Sequence, residues 1–188
     1  MSASEQVRQH VGYVVEPGDI VEVRAITNGG RVRKFWRAAR DLPGLVPDLE
    51  RLNRQGFNIY AGPNPRRGEG LSCDDNVAVC RCLFADFDKI KPGDGCGIWE
   101  FVTPRIEAAG LPMPTLAVFS GHGIHTYWRL SDPLAPDHWR ELQSRLIVTL
   151  GSDPACSNPE RVMRLPGFKN VKKTPHIDCF IIFAEVHG

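Results

Sequence analysis

The chain lacks any apolar run near the ~18 residues that a membrane helix needs. Met1 to His10 is polar, without the apolar stretch of a signal peptide, so a cytoplasmic location is expected. The chain lacks the cysteine density of a disulfide scaffold, with 6 in 188 residues, which suits reduced thiols. No Cys-x2-Cys pair occurs, and Cys80 and Cys82 fall inside a stretch that reads as a strand. Both features argue against a zinc site built from Cys73, Cys80, Cys82 and Cys96. Net charge is nearly absent: 23 basic against 22 acidic residues give +1, which excludes a globally basic nucleic-acid coat. Internal repeats and low-complexity segments are missing too. What is present, 42% hydrophobic and 24% charged residues, fits one globular domain or two closely packed subdomains with a real core.

The charge is unevenly placed. Arg161, Arg164, Lys169, Lys172 and Lys173 fall in a stretch with no acidic residue. A second basic group, Arg31, Arg33, Lys34, Arg37 and Arg40, reads as a solvated turn and helix start, and Arg66-Arg67 makes a third. Local patches of this kind suit a partner whose phosphates are contacted at a few places.

Asp19 to Thr27 alternates apolar and polar residues and predicts a strand closed by the turn Asn28-Gly29-Gly30. Helical spacing follows in pieces from about Phe35 to Gln55, and Gly56 to Ala61 predicts a second strand before the loop Gly62 to Gly68. The first third therefore reads β, α, β. Beyond it come a strand over about Asn76 to Asp88, a turn-rich stretch from Lys91 to Gly97 and a helix over Ile98 to Ala109. Thr115 to Phe119 and Ile124 to Leu130 read as a hairpin around Ser120-Gly121-His122-Gly123. A helix over Pro136 to Leu150 carries an apolar stripe of Trp139, Leu142, Leu146 and Leu150, and Ile177 to Glu185 closes the chain as a strand. From Asn76 the order is β, α, β, β, α, β, a split βαβ arrangement. The expected fold class is α+β, an α/β sandwich: an N-terminal βαβ unit over 1–72 packed on an RRM-like antiparallel palm over 73–188. In such a palm helices cover one sheet face and leave the other for a ligand.

Chemistry concentrates at Leu83-Phe84-Ala85-Asp86-Phe87-Asp88. On a strand Asp86 and Asp88 share one face, with backbones roughly 6 to 7 Å apart, so that their oxygens can converge on a hard cation. By alternation His125, Tyr127 and Arg129 share a face of the hairpin and are expected beside the two Asp residues. Ser120 and the N–H groups of the glycine-rich turn add donors for a phosphate. A two-metal site needs a third acidic ligand, for which Asp153 is the candidate. Arg164 and Lys172 then neutralise triphosphate charge.

Phe84-Ala85-Asp86-Phe87-Asp88, Ser120-Gly121-His122-Gly123-Ile124-His125, and Asp153 followed by Arg164-Leu165-Pro166-Gly167-Phe168-Lys169-Asn170-Val171-Lys172 stand in that order. This succession resembles the three motifs of archaeo-eukaryotic-type primases, closest in character to the primase-polymerases of plasmids, phages and other mobile elements. Val23-Arg24 and the stretch from Tyr60 to Arg66 also resemble the first subdomain of that group, so the likeness covers most of the chain.

The resemblance implies a template-directed nucleotidyltransferase, a DNA primase and polymerase acting in replication. Asp86, Asp88 and Asp153 would hold two Mg2+ or Mn2+ ions. Ser120 and His125 would contact the phosphates of an incoming NTP or dNTP, with Arg164 and Lys172 adding charge. Tyr127 would lie near its sugar or base, and Asn64 and Arg66 would hold template or nucleotide. Partners would be a single-stranded DNA template, a primer, and a replicative helicase or accessory domain of the kind that relatives carry. The chain ends soon after its last strand, as expected of a catalytic fragment or a stand-alone enzyme, which leaves de novo priming open against extension. Two rivals stand beside this reading. One is a non-catalytic RRM-like module binding single strands through Phe84 and Tyr127. The other is a replication-initiator nuclease, against which the absence of a His-x-His pair speaks, His122 and His125 being two residues apart.

Overall fold

The computed structural model describes residues 1–88 and 95–185; the turn-rich stretch expected from Lys91 and the side chain of Cys96 lie outside the described residues. The elements run α1 (Ala3–Val14), β1 (Ile20–Thr27), β2 (Val32–Ala38), α2 (Leu42–Arg54), β3 (Phe57–Ala61), β4 (Cys80–Phe87) and α3 (Gly95–Ala108). They continue with β5 (Leu116–Phe119), β6 (Ile124–Leu134), α4 (Pro136–Leu150), β7 (Met163–Arg164), β8 (Lys169–Asn170), β9 (Ile177–Asp178) and β10 (Phe180–Ala184). The expected α+β class with antiparallel sheets holds.

Local chemistry accounts for several elements that periodicity misses. Ser2 and Glu5 form a capping box that starts α1, so the polar N-terminus is a helix whose apolar side, Val7, Val11 and Val14, enters the core. Gly30, at φ 80°, lets the chain reverse and pair β1 with β2. Residues 32 to 38 are thus an edge strand rather than the helical stretch expected from Phe35. With little apolar neighbour to cover it, the strand needs no alternating pattern. The helix proper begins later, at Leu42, with Pro43 in its first turn where the missing N–H costs nothing.

Two four-stranded sheets result, in the orders β2-β1-β3-β7 and β10-β5-β6-β4. The second departs from the split βαβ order in one respect: β10 adds to the outside of β5, so β4 is an edge strand with open backbone groups. They are closed from α4. The Trp139 indole N–H donates to the Cys82 carbonyl (2.8 Å), Gln143 accepts from Phe84 N (3.2 Å) and donates to the Phe84 carbonyl (2.7 Å). Gln143 therefore occupies the buried stripe expected of Leu142, which is 39% exposed.

One face of the second sheet, with Ala85, Phe87, Ala117 and Trp128, packs on Val102 and Ile106 of α3 and Leu146 and Leu150 of α4. The other face, expected to be free, is covered along most of its length. Phe84, Leu116, Val118 and Tyr127 join one core with α1, α2 and the apolar side of the first sheet, including Val23, Ala25 and Ile59. Burial of this size supplies the main stabilising term, at about 25 cal/mol per Å² of apolar area. The first sheet also takes its last strand from late in the chain, since β7 pairs with β3 through Tyr60 opposite Arg164. Among the described residues no helix is long and apolar enough to cross a membrane.

Candidate metal and nucleotide site

Where β4 and β6 reach past the covered part of the sheet, Asp86 stands opposite His125. Asp88 follows just beyond the strand and is exposed. Asp153 arrives from the far side of α4. Its backbone N–H donates to the Asp86 carbonyl at 2.9 Å, using the open edge of β4, and its own Oδ1 caps the following turn by accepting from Ala155 N at 2.9 Å. Ligand oxygens of Asp86, Asp88 and Asp153 lie within 4.8 Å of one another. The three candidates for metal ligation therefore converge, through one strand and one cap.

The electrostatics suit a cation. Asp86 is largely buried, and that burial, with Asp88 and Asp153 adding repulsion, pushes its carboxyl up to about 7. Its Oδ1 is buried without a hydrogen-bond partner. A buried carboxylate oxygen facing two more carboxylates is costly unless a positive charge joins it. Arg161 stands 3.8 Å from Asp153, beyond hydrogen-bond range. The donor set, all carboxylate oxygen, suits a hard divalent cation.

The turn between β5 and β6 is dictated by close approach. A Cβ on Gly123 would stand 2.3 Å from the Phe87 carbonyl, and one on Gly121, at φ 94°, 2.8 Å from Asn170 Cβ. These glycines let the turn lie against the Asp-bearing strand and against β8. Ser120 lines the cleft, but its hydroxyl is engaged within the turn, donating to the Gly123 carbonyl at 3.1 Å. His125 is 5% exposed, and burial, Arg164, His10 and Arg161 push its imidazole down to about 3. At neutral pH it is an uncharged ring, and its Nε2 lies 3.6 Å from Asp86, too far for a hydrogen bond.

The same cleft, of about 570 Å³, is also lined by His122, Arg161, Arg164, Lys172 and Lys173, with Arg161 beside Asp153 and Arg164 on the first sheet. Arg164 is held firmly. It donates to Asn58 Oδ1 at 2.6 Å and to the Tyr60 hydroxyl at 3.1 Å, with its guanidinium 4.8 Å over the Tyr60 ring. Asn58 also accepts from Val171 N at 2.9 Å, which ties the basic segment to the first sheet. Lys172 and Lys173 are exposed.

Three expected residues lie elsewhere. Tyr127 is 0% exposed, its ring edge-on to His10 at 5.3 Å between centroids. Strand alternation does put it on the face of Asp86 and His125, but two residues deeper, under α1. Arg66 is 2% exposed and structural: it pairs with Glu22 (2.9 Å) and donates to the carbonyls of Asn64 and Glu160, each at 2.7 Å. Asn64 is buried and donates to the Pro159 carbonyl at 3.2 Å. Neither touches the cleft. Conversely, sequence reasoning named Arg161 and Lys173 only as part of a basic patch and His122 only within its turn, and it did not single out Tyr60 or Asn58. Arg161 and Lys173 bound the acid-free basic run, which was the available signal; Asn58 and Tyr60 gave none. The rival stacking platform is absent as well, because Phe84, like Tyr127, is 0% exposed. For zinc, burial pushes the Cys80 thiol up to about 12 and Cys82 higher still, inside β4.

A carboxylate triad beside basic side chains, on this pair of antiparallel sheets, makes the chain similar to an archaeo-eukaryotic-type primase-polymerase domain. Its structural relatives are primases and polymerases. The AEP domain of the cyanophage S-2L primase-polymerase is 26% identical, with a TM-score of 0.72 over 97% of this chain and 92% of that one. Primase RepB′ shares the fold at 17% identity and a TM-score of 0.73, over 97% of this chain and 56% of that one. So does the RepB′ catalytic domain in complex with initiator DNA, at 17% identity, a TM-score of 0.74, and 98% and 86% coverage. Mobilization protein A of Escherichia coli is 25% identical over 153 residues, 81% of this chain and 18% of that protein's length. No protein-family model matches the chain.

Proposed function

We propose that the chain is a template-directed DNA primase-polymerase that joins nucleoside triphosphates on a single-stranded DNA template. The observation that carries this reading is one cleft that brings Asp86, Asp88 and Asp153 together with Arg164, Lys172 and Lys173, Arg161 standing beside Asp153. The likeness to the cyanophage primase-polymerase domain, over nearly the whole of both chains, supports it.

Asp86, Asp88 and Asp153 would hold divalent ions, Mg2+ or Mn2+, which would supply charge neutralisation for the transfer. The protein's own work is positioning. Arg164, locked by Asn58 and Tyr60, presents a fixed fork to phosphate oxygens. Lys172 and Lys173, with long free stems, follow the charge of the outer phosphates. His125, neutral and packed beside Asp86, keeps water from the buried side of the triad. The acceptor 3′-hydroxyl oxygen bonds to the α-phosphorus, the bond to the bridging oxygen breaks, and pyrophosphate leaves with the electron pair while the hydroxyl proton passes to water. Such a transfer is catalysed by alignment and charge.

The test incubates the protein with Mg2+ or Mn2+, a single-stranded template and labelled nucleotides, with and without a primer. Incorporation by the wild type, lost in Asp86→Ala with Asp88→Ala, is the expected result. Equal product from that double variant, or none from the wild type under any of these conditions, overturns the reading. Product only in the presence of a primer retains the polymerase and removes the primase.

A further inference from the structure

α1 carries a glycine that nothing inside the chain calls for. Gly12 lies within the helix, where glycine is the least favourable residue after proline. A Cβ placed on it would meet nothing within 4 Å, so no close approach of another segment requires the missing side chain. What its absence leaves open is a groove of about 530 Å³ between α1 and the stretch over 39–43 that leads into α2. Arg8, Val11, Gly12 and Val15 follow at i, i+3, i+4 and i+7, so one stripe of α1 and its C-cap forms a side of the groove. Val11 and Val15 are buried at the bottom, while Pro17 is exposed and Pro43 half-buried above them.

The charge left over around this groove has one sign. Glu5, one turn before Arg8, is held by Ser2, and Arg8 enters no ion pair among the described residues. Arg40 approaches its neighbour Asp41 at 3.9 Å with both side chains more than half exposed, a contact that water screens. Glu16, the acidic residue of the lining, is paired with Arg129. Two unspent guanidinium groups thus flank an apolar trough that has no aromatic ring for a base to stack on. That combination fits a peptide: carboxylates for the arginines and an apolar side chain for the space over Gly12. We infer that the groove docks a short acidic segment of a partner protein, with one or two apolar side chains over Gly12 and carboxylates on Arg8 and Arg40. The groove shares no lining residue with the cleft of the carboxylates, so the inference stands apart from the transferase reading. This chain's own nearest mimic of such a segment is Leu71, 78% exposed between Glu69 and Asp75. A single leucine falls far short of the area that a stable pair of copies needs.

The probe is a fluorescein-labelled peptide, Ser-Glu-Asp-Leu-Phe-Asp-Glu, titrated with the full chain and read by anisotropy beside a control in which Ser-Ser replaces Leu-Phe. Expected is saturable binding of the first peptide, weaker as salt rises and kept in the presence of excess unlabelled oligo-dT. Gly12→Trp, which fills the groove, and Arg8→Glu with Arg40→Glu should each weaken it about tenfold or more, while Gly12→Ala keeps it. Thermal melts check the fold of each variant; should Gly12→Trp not fold, the reversal of the two arginines decides. No saturation up to about 1 mM peptide, equal binding of the Ser-Ser control, or binding unmoved in a folded variant overturns the inference. Displacement by oligo-dT assigns the groove to nucleic acid, and self-association in sedimentation that Gly12→Trp abolishes assigns it to a second copy; either result overturns the inference as well.

Discussion

The two walls of the main cleft are built to different tolerances. On the acidic side, each carboxylate is placed by backbone: Asp86 by β4, Asp153 by its N–H on the Asp86 carbonyl and by its cap on Ala155, Asp88 by the residue that ends the strand. On the basic side only Arg164 is fixed comparably, through Asn58 and Tyr60, whereas Lys172 and Lys173 reach out on exposed stems. The contrast follows from the ligands. Small divalent ions need oxygen ligands at defined positions, while a triphosphate tail is neutralised by positive charge at a range of geometries. Position should matter on one wall and charge on the other.

The largest effect expected is at Asp153. Asp153→Asn keeps the cap on Ala155 and removes a ligand charge, so incorporation should fall by about a thousandfold or more, on the order of 4 kcal/mol, with the thermal transition unmoved. A fall of only a few-fold would mean that the acidic wall tolerates loss as the basic one does. Next comes Asn58→Ala, which removes no cation but leaves Arg164 held by Tyr60 alone and unties Val171. A loss of roughly tenfold to a hundredfold in kcat/KM is expected, from the ~1.5–3 kcal/mol of a hydrogen bond to a charged group. Were Asn58→Ala neutral, the rigid placement of Arg164 would be irrelevant. Lys172→Ala and Lys173→Ala should each cost only about fivefold in nucleotide KM, an effect of ~1 kcal/mol that fades as salt rises.

Beneath both walls the comparison extends to acid. Burial pushes His10 down to about 4, against an ordinary value of 6.5. The folded ring stays neutral between those values while the unfolded one takes a proton, so stability is full above about pH 6.5 and lost as pH falls toward 4, by up to ~1.4 kcal/mol per pH unit. His125, pushed down to about 3, adds a slope of the same sign and Asp86, pushed up to about 7, one of the opposite sign, so between pH 7.5 and 5.5 denaturant melts of His10→Leu should lose His10's share of the slope and keep the rest.

Much of this was legible in sequence because each motif is local. Two Asp residues at strand spacing, two glycines around a His, and a basic run after a lone Asp keep their meaning wherever they pack. What could not be read was which side of each element another part of the chain would cover. Tyr127 shares a strand face with His125 but lies under α1; Arg66 looks like a phosphate ligand until Glu22 buries it. Gln143 replaces Leu142 in the buried stripe because β4 is an edge strand whose carbonyls need donors. Periodicity registers apolar faces, and neither a buried Gln nor an edge strand such as β2 has one.

The central claim is that the two walls serve one substrate. Titration of Mn2+ by electron paramagnetic resonance, with and without a nonhydrolysable nucleoside triphosphate, tests it directly. Nucleotide should tighten Mn2+ binding at least about tenfold, reciprocally with metal tightening nucleotide, and Asp86→Asn should abolish the coupling. Mn2+ binding that is indifferent to nucleotide, or unchanged in Asp86→Asn, would contradict it.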